Sequence, residues 1–211
     1  MPICFKRKII FVHIPRTAGT SFEHFLGLNN KESWWDLEYN YITPGSPKKS
    51  IKALQHLSYS EYVNRVDNIR DFFIFAIVRN PYTRFKSDWK WRKTFKHPYT
   101  KFGRTFDYFL DEAEKVIEKG FFNEDAFSDH LAPQYNFVHD ENGICRVDHI
   151  GGFEELGKTV ELIREKFKIQ HPSFFGKNST KYVEDFNLTD DHKERIYRMY
   201  KIDFDTFGYT K

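Results

Sequence analysis

The first strong hydrophobic run, Ile9-Ile10-Phe11-Val12-His13-Ile14, is continuous rather than alternating and rich in β-branched residues. Such a run predicts a strand buried on both faces of a parallel sheet. Pro15 to Gly19 ends it, and Thr20 or Ser21 is placed to cap a helix reaching about Leu26, with Gly27 as its stop. Phe72 to Val78 is the strongest strand in the sequence; Arg79-Asn80 turns out of it, and Pro81 suits the first position of a helix reaching about Lys93. Ser58-x-x-Glu61 is a capping-box pattern that starts a helix through Val66. Thr105 to Lys119 reads as a helix closed by Gly120. Leu156, Val160, Ile163 and Phe167 mark one face of another, and Thr189-Asp190-Asp191 opens a last one, to about Tyr200. Lys52 to Leu57 is weakly strand-like, and residues 27–50 read as a long connection of the kind that often carries function.

Strands alternating with helices predict an α/β fold with a central, mainly parallel sheet flanked by helices. No repeat, low-complexity stretch or linker breaks the pattern, so residues 1–211 are expected to form a single domain. Hydrophobic residues at 40%, aromatics at 18% and charged residues at 30% fit a globular chain. A net charge of +3 permits anionic ligands but does not call for nucleic acid. Cys4 and Cys145 lie far apart without a CxxC or Cys/His cluster, so neither a disulfide framework nor zinc is expected, and a reduced, cytoplasmic setting is the default. His130, His139 and His149 are too scattered to read as metal ligands. The first apolar run is too short to cross a bilayer and no cleavage site follows it, which leaves a cytoplasmic location unless an anchor lies outside this sequence.

A buried strand, a tight polar loop and a helix N-terminus together make an anion site. Here the loop is Pro15-Arg16-Thr17-Ala18-Gly19-Thr20-Ser21: Gly19 admits close backbone approach, Thr20 and Ser21 offer hydroxyls, and Arg16 adds a positive charge. It is not a nucleoside-triphosphate loop, because Thr20 follows Gly19 where a lysine should stand and the upstream glycine is absent. An ordinary strand-to-helix turn is the plain alternative. A second element, Val78-Arg79-Asn80-Pro81-Tyr82-Thr83-Arg84-Phe85-Lys86-Ser87, leaves the carboxyl end of the other strong strand, where ligands of open parallel sheets sit. Arg79 and Ser87, two helical turns further on, are placed to meet one phosphate.

The two stretches together resemble the sulfotransferases: Phe11 to Ser21 is similar to their 5′-phosphosulfate loop, and Ala76 to Ser87 to their 3′-phosphate motif. In style the match is to the carbohydrate branch with heparan 2-O- and chondroitin-type enzymes. Asp129-His130-Leu131-Ala132-Pro133-Gln134 resembles the acceptor-side segment of the family, Asp148 to Leu156 its following strand-to-helix element, Lys177-Asn178-Ser179-Thr180 its closing loop and Asp203 to Tyr209 its ending. The resemblance implies a P-loop-like three-layer α/β fold and the sulfuryl donor 3′-phosphoadenosine 5′-phosphosulfate (PAPS), with 3′-phosphoadenosine 5′-phosphate (PAP) as product. It places Arg16, Thr17, Ala18, Gly19, Thr20 and Ser21 on the phosphosulfate, and Arg79, Ser87 and Lys177 on the 3′-phosphate. Arg16 stands where the family usually has lysine; its guanidinium stays charged, so it can stabilise the leaving phosphate but not donate a proton to it.

Sulfuryl transfer to a hydroxyl needs a base for the acceptor proton and requires no metal, and a histidine suits a base near neutrality. His56, in Gln55-His56-Leu57-Ser58, resembles the family segment that carries a catalytic histidine; alternatively it is a hydrogen-bonded loop residue. His13 reads as a packing residue inside the first strand, with Glu23 and His24 as reserve bases. Between Arg84 and Arg104, eight basic residues interleaved with Trp89, Trp91, Phe95 and Tyr99 either guide an anionic glycan or form a solvated helix face. The expected partner is a hydroxyl-bearing acceptor, a glycan by the resemblance. The rival readings are a P-loop phosphotransferase and a non-catalytic nucleotide- or glycan-binding relative, the latter favoured by Arg16.

Overall fold

The computed structural model describes residues 2–28, 54–94, 104–120, 128–170 and 186–211. Four strands form one sheet in the order β1 (Ile3–Cys4), β2 (Ile9–Val12), β3 (Phe73–Val78) and β4 (His149–Gly152). β1 is antiparallel to β2, while β2, β3 and β4 run parallel. The sheet is therefore mixed and mostly parallel, as the alternation of strands and helices predicts.

Because side chains alternate across a strand, the two strong strands feed both faces of the sheet. Ile10, Val12, Ile74, Ala76 and Val78 pack with Tyr62 of α2 (Tyr59–Val63) and with Phe137 and Val138 of α5 (Tyr135–Val138). Ile9, Phe11, Phe75 and Ile77 pack with Phe22 and Phe25 of α1 (Gly19–Phe25) and with Val160 and Ile163 of α6 (Leu156–Phe167). This double-sided burial explains why both runs lack polar alternation. A Cβ on Gly151 would lie 2.0 Å from Thr159 Oγ1, so that glycine sets how closely α6 approaches β4. A third core joins α3 (Pro81–Thr94), α4 (Phe106–Glu118) and α7 (Asp190–Phe207) through Phe85, Phe109, Ile196 and Phe204.

Helix starts follow the capping chemistry. Ser58 and Glu61 form a reciprocal capping box at α2, Thr105 accepts from Tyr108 N at α4, and Asn80 Oδ1 accepts from Tyr82 N at 3.0 Å beside Pro81. Three expectations change. α1 starts at Gly19, with Ala18 as its N-cap, so Thr20 and Ser21 lie in its first turn and cap nothing. Leu54–His56, the described part of the weakly strand-like 52–57, is a single 3₁₀ turn, because its polar groups turn toward α1 and Asp129 and pair with no strand. The last helix does not stop at Tyr200 but bends there (φ −119°) and continues to Phe207. Tyr200 is buried, its hydroxyl donates to Leu131 O at 2.9 Å, and Phe204 anchors the next turn in the third core. No helix among the described residues is long and apolar enough to cross a membrane.

Candidate active site

Both predicted motifs meet beyond the carboxyl ends of β2 and β3. After β2 the chain turns tightly: Ile14 N donates to Val12 O, and the Thr17 hydroxyl donates to Ile14 O at 2.8 Å. Arg16 and Ala18 then adopt left-handed backbone, each at φ 69°. Left-handed non-glycine residues cost about 1–3 kcal/mol each and collect at functional sites. Ala18, the N-cap of the helix that follows, supplies no side-chain cap.

Arg16 reaches across to the second motif, donating from Nε (3.3 Å) and Nη2 (3.1 Å) to Ser87 Oγ. Arg79 reaches back, donating from Nη1 to Arg16 O at 3.1 Å and from Nε to Thr83 Oγ1 at 3.0 Å, while its guanidinium lies 4.0 Å from the Phe153 ring. Arg16, Ser87 and Arg79, widely spaced in sequence, are thus one cluster. Neither guanidinium forms a salt bridge among the described residues; both bond only neutral oxygens. Burial pushes Arg16 below the usual arginine range. Burial, and then the neighbouring charge of Arg16, push Arg79 down to about 10. Asp88 acts on Arg16 and Glu154 on Arg79 only at a distance; two partly buried cations side by side without a salt bridge are suited to an anion between or beside them.

Other expected ligands have different duties. The Thr17 hydroxyl is taken by Ile14 O, so only its backbone remains for an anion. Gly19 has a steric duty as well: a Cβ there would lie 1.8 Å from His13 Nε2, so the glycine makes room for an imidazole. Ser21 is buried and Thr20 half-buried in the first turn. Lys177 lies outside the described residues, as do Trp34 and Trp35.

In the described part of the basic stretch 84–104, Arg84 and Arg92 are interior, Lys86, Lys90 and Lys93 half-buried and Arg104 exposed. Arg84 is buried and donates to Pro15 O, His130 O and Ala132 O at 2.9–3.1 Å, tying the loop to the segment ahead of α5. Arg92 is buried on Asp88, and Trp89 lies in the third core. Trp91 reaches the site, stacked on His130 at 4.6 Å, with Arg16 at 5.6 Å from its ring.

His56 lies at the centre of the other wall. Its Nδ1 is 2.6 Å from Asp129 Oδ2, and its ring meets His13 edge-on at 4.9 Å and His130 at 5.0 Å. His13 is paired through Nδ1 with Glu23 (2.7 Å), and His130 through Nδ1 with Asp88 (2.7 Å). His13 is therefore more than core packing, and Glu23, held by His13 and by Gln55 Nε2 at 2.8 Å and 2.9 Å, backs an imidazole instead of standing in reserve as a base. Burial lowers His56 and His130 against the pull of their carboxylates, so both are neutral near pH 7. Burial raises the Glu23 and Asp88 carboxyls, but the imidazole and amide partners of Glu23, and Arg92 and His130 beside Asp88, outweigh it, so both lie below the ordinary carboxylate range. Ring contacts run from Arg16 through Trp91, His130 and His56 to His13, which returns to the loop at Gly19.

Histidines far apart in sequence are thus adjacent in space. His56, Asp129 and His130 bring possible ligand atoms within 4.8 Å of one another, but a cation using Asp129 would compete with the hydrogen bond from His56. Sequence reasoning named Glu23 only as a reserve base, placed Asp129 and Gln134 in a family-like segment without a role for either, and gave Asp88 none. Gln134 is buried, accepts from Arg79 N and donates to Arg79 O, both at 2.8 Å, and so fixes the backbone where Arg79 leaves β3. The motif-like run from Asp129 to Gln134 was the available signal.

The model of the sulfotransferase family matches residues 2–210. Comparison with curated proteins gives no match, and comparison with solved structures gives none. With the family model covering nearly the whole length, the chain belongs to the sulfotransferase family.

Proposed function

We propose that this chain transfers a sulfuryl group from PAPS to a hydroxyl of a carbohydrate or similar acceptor, on a P-loop-like fold in which residues 1–211 act as one domain. The observation that carries the reading is the Arg16–Ser87–Arg79 cluster, two guanidiniums without a salt bridge among the described residues. This donor set fits a nucleotide bearing two anionic groups. Arg16 and the backbone of residues 17–21 would hold the phosphosulfate; Arg79 and Ser87, with Lys177, would hold the 3′-phosphate. Ser87 accepts both bonds from Arg16, which leaves its own proton to donate to a phosphate oxygen.

PAPS supplies an activated sulfur whose leaving group is a phosphate. The acceptor oxygen bonds to sulfur as the sulfur–oxygen bond to that phosphate breaks. His56, neutral near pH 7, takes the acceptor proton. Arg16 opposes the charge that develops on the phosphate, a role that needs no exchangeable proton. Lysine is absent after Gly19, so the loop lacks the phosphate-bridging cation of nucleoside-triphosphate enzymes.

The test is incubation with radiolabelled PAPS and a panel of neutral glycans, anionic glycans and simple alcohols. Label in one of them, lost by on the order of 10²–10⁴-fold in His56→Ala while PAP affinity is kept, supports the reading. Equal labelling by His56→Ala contradicts His56 as the base.

A further inference from the structure

We propose that Asp129 is a positioning residue: it holds His56 in the Nδ1–H tautomer, so that the Nε2 lone pair is the one offered to the acceptor hydroxyl. The inference rests on the reading of His56 as base, and it adds what makes that imidazole competent. A neutral imidazole has one N–H and one lone pair, and which nitrogen carries the proton depends on what each nitrogen faces. At 2.6 Å an ionised carboxylate can only accept, so the proton sits on Nδ1. His56 is 7% exposed and Asp129 2%, so water does not compete for that bond.

The carboxylate is itself fixed. Asp129 belongs to the 3₁₀ turn Ser128–Leu131, whose carbonyl at His130 accepts from Arg84 Nη2, as does that of Ala132. The same guanidinium donates from Nε to Pro15 O, so one buried side chain registers Asp129 against the loop that leads into Arg16. The ring of His56 is also held: His13 packs edge-on from one neighbouring element and His130 from another. Each of these imidazoles carries its own carboxylate on Nδ1, so the three rings share one tautomeric design. Among the described residues, the charged and titratable groups facing His56 are Asp129, His13, Glu23 and His130, with Asp88 behind His130.

During transfer the acceptor proton passes to Nε2, the oxygen–sulfur bond forms and the sulfur–phosphate oxygen bond breaks. The imidazolium so produced carries protons on both nitrogens, and Asp129 offsets its charge without taking a proton.

Nitrogen-15 and proton NMR of the imidazoles in the full chain tests this without an acceptor. The expected result is a His56 Nδ1 proton in the hydrogen-bonded region and an unprotonated Nε2 near neutral pH. In Asp129→Asn, which keeps side-chain shape, loss of the carboxylate lowers the His56 pKa further and shifts the proton toward Nε2. PAPS turnover with any acceptor found active then falls on the order of 10²-fold or more, with PAP affinity within about twofold of the parent by the same reasoning. A wild-type spectrum with the proton on Nε2 overturns the proposal and needs no variant. So does an Asp129→Asn protein with unchanged tautomer and turnover. If the tautomer behaves as expected but His56→Ala keeps full turnover, the base assignment fails and the structural control of His56 stands.

Discussion

Gly19 shows how a residue is legible in sequence for one reason and needed for another. A glycine before Thr20-Ser21 suggests backbone approach to an anion, yet its hydrogen faces His13. Gly19→Ala should push that imidazole off Glu23 and away from His56. The expected cost is about 1–3 kcal/mol of stability, the usual range for overpacking, together with a fall in turnover larger than the fall in PAP affinity. Denaturant unfolding and a nucleotide titration on the same sample check it; unaltered stability would show that the ring moves without cost. Arg16, Arg79 and Ser87 were readable as a group because each lies in a motif that exits a strong strand. The Asp129, Asp88 and Glu23 partners were not, since their pairing with His56, His130 and His13 depends on packing between separate segments.

Elements were most legible where capping chemistry is local. Ser58-x-x-Glu61, Pro81, Thr105 and Thr189 mark helix starts that the structure keeps within a residue or so. The end of α7 was not legible, because its continuation past Tyr200 depends on Leu131 O and on the third core, not on neighbouring residues. That extension places Asp203 where its carboxylate accepts from Gln134 N and Tyr135 N, both at 2.9 Å, so α7 holds the start of α5. Gln134 in turn fixes Arg79. Asp203→Ala leaves the buried Gln134 amide and the half-buried Tyr135 amide without their acceptor, at about 1–3 kcal/mol for the buried one. Thermal unfolding should register the loss, and PAP binding should weaken with it as Arg79 loses its backbone support. A variant with parental melting would contradict this link between α7 and the site.

At the scale of the molecule, the pattern of apolar runs anticipated the mostly parallel sheet, and the exit of both motifs from strand ends anticipated that they would meet. It did not anticipate an interior built from histidine–carboxylate pairs, since histidine and acid count as polar in any periodicity. These pairs set a pH response. His56 and His130 have folded values below their unfolded value near 6.5, so the unfolded chain binds more protons as pH falls through that region. Stability from these groups is present above about pH 6.5 and is lost as pH drops toward their folded values. Glu23 and Asp88, also lowered, extend the loss below the ordinary carboxylate range. The melting temperature should therefore decline between about pH 7 and pH 5; a flat profile there would mean that the two imidazoles titrate alike in the folded and unfolded chain, and a rise on acidification that they are already charged at neutrality.

Most of the account depends on one claim, that the Arg16–Ser87–Arg79 cluster receives the nucleotide of PAPS. Calorimetric titration of the whole chain with PAP, in the presence of a chelator, tests it most directly. The account predicts saturable, metal-independent binding that is weakened by at least about tenfold in Arg79→Ala, through loss of a charge-assisted phosphate contact worth roughly 1.5–3 kcal/mol. Absence of PAP binding, with binding of ATP that appears only when magnesium is added, would contradict it.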